Sequence, residues 1–233
     1  MRRPRHLDVM LDLLDAVAGG RYPPGARLPN VPELADSLGA SRGVLREALL
    51  ILRLRGVIAD DSGPSSVVNE YEHWDLRAPE VLVASSAYGL QPDLLGHAVD
   101  ARAAIERVAA AHACLHATDG DLGLLSGYAD AIELAAAGLL EPGPGLDAFA
   151  HAEAWFHTAL GRLSENPVLA MLSEPLHALL ADLRRRRAPE RDQAAIRAHK
   201  QILAGISSRE PALAEEAVDA YARSLRRWLG GRG

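Results

Sequence analysis

From about residue 80 to residue 230 the sequence is a nearly continuous series of Ala- and Leu-rich segments with helical spacing of the apolar residues. Short polar or Gly/Pro-containing stretches interrupt this series at 117–121, 138–147, 164–167, 185–192 and 207–211. They divide the region into about six helices of roughly 15–25 residues, a length suited to an antiparallel bundle. Aromatic residues make up only 4% of the chain, so the core must consist mainly of Leu, Ala and Val. The sequence therefore predicts an all-helical bundle for this region.

The N-terminal part of the chain has a different pattern. Apolar residues at helical spacing between Leu7 and Val17 predict a first helix, and the same criterion predicts helices at 31–37 and 42–55. The following "GVIADDSGPSSVVNEY" contains two short apolar, β-branched stretches on either side of a Gly-Pro turn, which predicts a hairpin. Three helices followed by a hairpin are the order of a winged helix-turn-helix.

These patterns together predict a mainly α protein with a winged helix-turn-helix at 1–72, a linker at 73–90 and an antiparallel helical bundle at 91–233. The sequence has no run of about 18 apolar residues, so no membrane partner is expected. The basic N-terminus leads into a segment interrupted by Asp residues, which we do not expect to be a signal peptide. A single cysteine, Cys114, excludes a disulfide framework, and a cytoplasmic location is the expectation.

The charges are distributed unevenly along the chain. Residues 1–58 contain nine Arg against six acidic residues, whereas residues 59–233 contain 16 basic against 25 acidic residues. A basic head on an acidic body is expected when only the head meets a polyanion.

The segment "PELADSLGASRGVLREALLIL" indicates which polyanion this is. Ser41 is the predicted N-cap of its second helix. At 100° per residue Arg42, Arg46 and Arg53 cluster within about 40° on the side opposite the apolar residues. In a helix-turn-helix the start of the second helix reaches base edges in the major groove, where Arg binds guanine or a phosphate. The alternative is that these arginines are solvated surface residues of an ordinary helical hairpin.

The stretch "GGRYPPGARLPNVPELADSLGASRGVLREALLILRLRGVI" resembles the DNA-binding domain of GntR-type bacterial repressors. The resemblance fixes the turn, the cap, the arginines and the core positions together, and it implies that Arg42 and Arg46 contact operator DNA. The full predicted DNA-binding set comprises Arg42, Arg46, Ser41, Gly43, Arg27, Arg53, Ser65 and Ser66.

Two departures from the pattern of the GntR family predict weaker or differently specified DNA binding. The "S-E-R" of the family is replaced by 30–32, "NVP", so a DNA-contacting arginine is absent and Pro32 begins the helix. The wing, usually "G-x-G-T-F-V", is here "DDSGPSSVV", in which Asp60 and Asp61 would repel phosphate. We therefore expect the wing to contribute little beyond Ser65 and Ser66.

The C-terminal region resembles the FCD ligand-binding domain of the FadR subfamily of these regulators, in "WFHTALGRLSENPVLAML" and "AHKQILAGISSREPALAEEAVDAYARSL". Many members of that family hold a divalent metal through an Asp and three His, and the metal helps to bind a carboxylate effector. Here Glu153, His157 and His199 stand at three of these positions, and Tyr221 stands at that of the third His. The resemblance implies either a divalent metal such as zinc on Glu153, His157 and His199, or a pocket that is used without metal.

The first helix of the FCD resemblance supplies the predicted effector-binding residues. Arg102 and Glu106 match this helix, whose arginine often faces the effector cavity in the family, and Tyr221 completes the predicted set. The simpler role for Arg102 and Glu106 is an intrahelical salt bridge, since they are four residues apart.

The sequence and the resemblances together predict a homodimeric DNA-binding transcriptional regulator, a repressor, without catalytic residues. A small organic or sugar acid bound in the helical domain would control its affinity for a palindromic operator. One alternative is a metal-dependent hydrolase that uses Glu153, His157 and His199. The other is a helical ligand-binding protein whose DNA-binding head has decayed.

Overall fold

The computed structural model divides the chain into two compact units, Met1–Pro92 and Asp93–Gly233. It describes residues 5–60, 65–140, 148–186 and 193–230. These residues form ten α-helices and one two-stranded sheet, so the predicted mainly α fold is confirmed. No helix in this part of the chain is both long and apolar enough to cross a membrane.

The first unit follows the predicted order of elements. Its elements are α1 (Arg5–Ala18), α2 (Val31–Ser37), α3 (Arg42–Leu54), β1 (Ile58–Asp60), β2 (Ser66–Val68), a 3₁₀ turn (Tyr71–His73) and α4 (Pro79–Ala87). Helix α1 packs on α3, and Leu13, Leu45 and Leu52 are fully buried between the elements. Burial of such side chains is the main stabilising contribution to a unit of this size.

The predicted hairpin is confirmed. Strands β1 and β2 pair antiparallel, with Ile58 opposite Val68 and Asp60 opposite Ser66. The segment before α2 lies along the other edge of β2, where the Leu28 amide donates to the Ser66 carbonyl at 2.9 Å. Residues 61–64 lie outside the described residues, and they include Asp61, which is predicted to repel phosphate.

Residues 73–90, predicted as a linker, lie in the first unit and are joined to the end of α3. Trp74 is buried in the core of this unit. Arg55 Nε donates to Glu80 Oε1 at 2.9 Å, which connects the end of α3 to α4. Gly56 has a φ of 68°, and a Cβ there would lie 2.2 Å from the His73 carbonyl oxygen. Glycine is therefore required where the chain passes close to the segment that leads into α4.

The second unit contains the six predicted helices. They are α5 (Leu94–His116), α6 (Asp119–Ala136), α7 (Ala148–Leu163), α8 (Pro167–Arg186), α9 (Gln193–Ser207) and α10 (Pro211–Gly230). Helix α10 packs along α9 and α5, and α7 packs between α6 and α8. A Cβ on Gly205 would lie 2.5 Å from the Ala214 amide, so α9 and α10 need glycine at this contact. The buried side chains of its core are mostly Ala and Ile, with fewer Leu and Val than the composition predicted.

Candidate DNA-binding surface and buried polar cluster

The helix-turn-helix is held by side-chain caps at the start of both helices. Asn30 Oδ1 accepts from the Glu33 amide at 3.0 Å, and Glu33 in turn accepts from the Asn30 amide, which forms a capping box for α2. Ser41 Oγ accepts from the Val44 amide at 3.3 Å and caps α3. Gly39, with a φ of 58°, allows the turn between the two helices. Asn30 therefore takes over the capping role in the "NVP" segment that departs from the family pattern.

Helix α3 presents two different faces. Leu45, Ala48, Leu49 and Leu52 are buried, whereas Ser41, Arg42, Gly43 and Arg46 at its N-terminal end are exposed. The N-terminal end of the helix also carries free backbone amides, which favour an anion. This arrangement brings cationic side chains and a helix N-terminus to one exposed surface, as a major-groove contact requires.

The other predicted DNA-binding residues differ in their exposure. Arg27 is exposed and lies beside β2, where its backbone forms a bridge to Val67. Ser65 is half-buried, and Ser66 is 6% exposed. Arg53 differs from Arg42 and Arg46 because its guanidinium contacts the hairpin. Spacing on α3 could not reveal these contacts, since they depend on where the hairpin folds back.

In the second unit, a buried ion pair on α5 lies at the centre of a polar cluster. Arg102 Nε donates to Glu106 Oε1 at 2.7 Å, and the two residues are 4% and 2% exposed. The predicted intrahelical salt bridge thus exists. Its burial raises its importance, because a charge removed from water must be compensated by its neighbours.

Two imidazoles converge on the same carboxylate oxygen. His157 Nδ1 and His177 Nε2 lie 2.9 and 3.1 Å from Glu106 Oε1. Burial raises the pKa of Glu106, but Arg102, His157 and His177 outweigh burial and hold this pKa well below its usual value. Burial and the positive charge of Arg102 lower the pKa of His157 well below its usual value, although Glu106 opposes them. These shifts favour the ionised form of Glu106 and the neutral form of His157.

The residues of the predicted metal site lie together, next to this ion pair. His157 Nε2 and His199 Nε2 are 3.0 Å apart. His199 Nδ1 donates to the Ala195 carbonyl oxygen at 2.8 Å, which fixes the orientation of the ring. Tyr221 Oη donates to Glu153 Oε1 at 3.0 Å, and that oxygen lies 3.9 Å from His199 Nε2. The predicted effector residues and the predicted metal residues therefore form one continuous cluster.

The arrangement does not fit the predicted divalent metal. Among residues 5–60, 65–140, 148–186 and 193–230, no three His, Cys, Asp or Glu side chains are placed to hold a metal ion. Glu153 is occupied by the Tyr221 hydroxyl, and this phenol stands where a third imidazole would be needed. The two imidazole Nε2 atoms lie within hydrogen-bond distance of each other. The metal predicted on Glu153, His157 and His199 is therefore not confirmed, and in this structure these residues belong to a cluster joined by hydrogen bonds and ion pairs.

His177 is the functional candidate that sequence reasoning missed. It lies on α8, 71 residues from Glu106 in the chain, and it is 8% exposed. One signal for it exists in the sequence, because helical spacing places it on the same side of α8 as Ser173 and Leu180, which are also buried. That spacing predicts burial of the imidazole without naming its partner.

Arg102 also borders a small cleft and keeps an unused donor. Its Nη2 is buried and has no hydrogen-bond partner in the described part of the chain. The cleft is lined by Arg102, Ala150, Glu153, Ala154, His157, His177, Leu180 and Ala181. In this conformation it has room for about one water molecule.

Comparison with protein families matches both units. Residues 6–68 match the family described as "Bacterial regulatory proteins, gntR family", and residues 97–224 match the FCD domain. An HTH-type transcriptional regulator of Mycobacterium tuberculosis is 38% identical over 93 residues, 40% of this chain and 37% of its own length. The chain therefore covers little more than a third of that relative.

Two relatives from Escherichia coli K12 align over more of the chain. The Glc operon transcriptional activator is 28% identical over 88% of this chain and 81% of its own length. The galactonate operon transcriptional repressor is 26% identical over 73% of this chain and 72% of its own length. Among solved structures, Lar of Listeria monocytogenes covers 100% of both chains with a TM-score of 0.69 and 16% identity. E. coli McbR/YncC covers 99% of both chains with a TM-score of 0.57 and 20% identity, so these two likenesses concern the fold.

Proposed function

Because the chain belongs to the GntR family of bacterial regulatory proteins and carries an FCD domain, we propose that it is a repressor controlled by a small carboxylate. It is a DNA-binding transcriptional regulator, as its relatives are, and not an enzyme. We place the acid beside Arg102 in the second unit and the operator at the N-terminal end of α3. As a DNA-binding regulator it would act in the cytoplasm.

The observation that carries the effector site is the buried donor of Arg102. A guanidinium binds a carboxylate through a charge-assisted hydrogen bond, and such bonds are stronger than neutral ones. Arg102 lines the cleft, and its buried Nη2 has no hydrogen-bond partner within the described residues. A carboxylate oxygen at this position would satisfy it without disturbing the bond from Nε to Glu106.

The rest of the cleft suggests an acid that also carries hydroxyl groups. His177 and Glu153 line the same cleft and offer polar atoms, whereas Ala150 and Ala154 leave space for a small carbon chain. The galactonate and Glc operon regulators and a putative L-lactate dehydrogenase operon regulator are relatives of this chain. The operons that these relatives are named for support a hydroxy or sugar acid as the class to test first.

The small size of the cleft supports control by a change of conformation. An acid of several heavy atoms needs more room than one water molecule occupies, so α5, α7 and α8 must separate when it binds. An acid that binds only the wider arrangement shifts the protein towards it. The operator affinity then changes by the difference in affinity of the two arrangements for DNA.

A homodimer would complete the DNA-binding site. One helix α3 reaches only a few base pairs, and two copies related by a twofold axis read the two halves of a palindromic operator. The combined contacts give the specific affinity that one head does not supply.

The test combines DNA binding with ligand titration. The purified protein is titrated onto the promoter DNA beside its own gene, followed by fluorescence anisotropy, with and without galactonate or L-lactate. We expect operator binding that weakens steeply with salt, and release from the operator by one of the acids. An acid that raises the melting temperature but leaves operator binding unchanged would contradict the coupling.

A matched variant tests the effector position. Arg102→Lys keeps a positive charge beside Glu106 but loses the planar fork that binds carboxylate. We expect this variant to bind the operator normally and to need about tenfold more acid, or more, for release. Unchanged sensitivity to the acid would place the effector elsewhere.

A further inference from the structure

One of the three arginines on α3 has contacts that the other two do not. Arg42 and Arg46 are exposed, and neither makes a side-chain hydrogen bond or ion pair within the described part of the chain. Arg53, near the C-terminal end of α3, points to the hairpin instead. Its Nε lies 2.6 Å from Asp60 Oδ1, and its Nη2 donates to Ser66 Oγ at 3.1 Å.

The two partners of Arg53 face each other across the sheet. Asp60 is the last residue of β1 and Ser66 is the first residue of β2, and they are paired in the register. A single guanidinium therefore contacts both strands at the Asp60–Ser66 end of the ladder. A hairpin with strands of three residues has little stability of its own. A side-chain contact from α3 can therefore determine the angle at which this hairpin leaves the unit.

The same contact changes the charge that the hairpin presents. The Asp60 side chain is 74% exposed, and an unpaired carboxylate at this place would repel a phosphate backbone. Arg53 cancels this charge, at the expense of its own availability to DNA. The Arg53 side chain is 32% exposed, so the pair is only partly removed from water. Because such a pair adds little to folding stability, we expect its consequence in DNA recognition rather than in folding.

From these contacts we infer that Arg53 is a positioning residue: it holds the β1–β2 hairpin against α3 and acts on operator recognition through the hairpin without touching DNA. This inference rests on the proposed function of the first unit as the operator-binding head. It replaces the direct DNA contact that helical spacing alone predicts for Arg53, and it gives Asp60 a role in a wing that otherwise looks unfavourable for DNA.

A charge exchange separates positioning from direct contact. Affinities for the operator and for a random duplex of equal length are measured at several salt concentrations for the wild type, Arg53→Glu, Asp60→Arg and the double variant. The double variant has the wild-type net charge and restores the ion pair with its partners exchanged. We expect the ratio of operator to random affinity to fall by about two- to fivefold or more in each single variant. The ratio should return to about the wild-type value in the double variant.

Two further variants keep the result interpretable. Ser66→Ala removes one partner of Arg53 without changing any charge, and it should lower the same ratio by a smaller factor. Asp12→Arg makes the same charge change as Asp60→Arg at an exposed position of α1. It should raise affinity for both duplexes and leave their ratio unchanged. Melting curves of all variants show that the first unit is folded.

The outcomes distinguish this inference from the proposed function. If the double variant keeps the reduced ratio of Arg53→Glu, Arg53 contacts DNA itself and the inference is wrong. If the wild type shows no salt-dependent preference for the operator, the proposed function fails and the inference fails with it. Restoration by the double variant, together with a normal wild type, supports both.

Discussion

The two units use arginine in opposite surroundings. Arg42 and Arg46 on α3 are exposed to water, whereas Arg102 on α5 is 4% exposed and paired with Glu106. Water stabilises an exposed guanidinium without a protein partner, so its donors stay available to the many phosphates of a duplex. A buried guanidinium needs a compensating charge and a fixed geometry. The same side chain is therefore suited to a polyanion in one unit and to a single small anion in the other.

Removing Glu106, the partner of the buried Arg102, should have the largest effect among the variants that test this comparison. Glu106→Leu leaves Arg102 as an uncompensated charge in the core of the second unit. We expect the free energy of unfolding of this unit to fall by about 3 to 5 kcal/mol, measured by urea unfolding followed by circular dichroism. Asp100→Asn is the control, because Asp100 pairs with Arg226 at an exposed site and should have little effect. A wild-type urea midpoint for Glu106→Leu would mean that burial does not make this pair essential.

Removing an exposed arginine should leave stability unchanged and reduce DNA binding. Arg46→Ala removes a predicted base or phosphate contact from each half-site, at about 1 to 3 kcal/mol per half-site. The measurement is anisotropy with operator DNA at fixed salt, and sedimentation of the variant and the wild type checks that the proposed dimer is unchanged. Arg197→Ala, an exposed arginine of the second unit, serves as the control. Equal operator affinity for Arg46→Ala and the wild type would contradict the assignment of α3 as the recognition helix.

The buried cluster should also make the second unit sensitive to pH, unlike the exposed arginines. The pKa of His157 is lowered on folding from its usual 6.5, so the unfolded chain binds a proton that the folded chain does not. Stability should therefore fall as the pH decreases below about 6.5, by at most about 1.4 kcal/mol per pH unit. Glu106 adds to this loss below pH 4.5, as its ionised carboxylate stabilises the fold. Urea unfolding at pH 7, 6 and 5 measures the slope, and the same slope in His157→Gln would exclude His157 as its source.

The two sites also differ in how far the sequence predicts them. Arg42, Arg46 and the cap Ser41 lie within six residues, so helical periodicity is enough to place them on one exposed surface. The buried cluster brings together side chains of α5, α7, α8, α9 and α10. The resemblance to the FCD domain predicted one site for Glu153, His157, His199 and Tyr221, because their positions are fixed relative to known motifs. The same resemblance could not give the bond from the Tyr221 hydroxyl to Glu153, which depends on side-chain orientation.

His177 and Arg53 show the physical limit of such reasoning. Each contacts a residue on another element, and the distance between the two depends on the packing of the whole unit. His177 reaches Glu106 across α8 and α5, and Arg53 reaches both strands of the hairpin. Burial of His177 follows from its spacing on α8, but its partner follows only from the fold.

The smallest expected effect is that of metal on the melting temperature of the second unit. It distinguishes the observed cluster from the metal-ligand set that the FCD resemblance implied. Addition of zinc, or removal of metal by a chelator, should leave the melting temperature of the second unit unchanged, because a phenol occupies the position of the third imidazole. Tyr221→His supplies that imidazole and frees Glu153, so His157, His199 and the new His can bind zinc together. We expect zinc to raise the melting temperature of Tyr221→His only, through binding to the folded state. Tyr221→Phe frees Glu153 without adding a ligand and is the matched control. A zinc-dependent shift in the wild type would show that Glu153, His157 and His199 suffice to hold the metal, and would contradict this expectation.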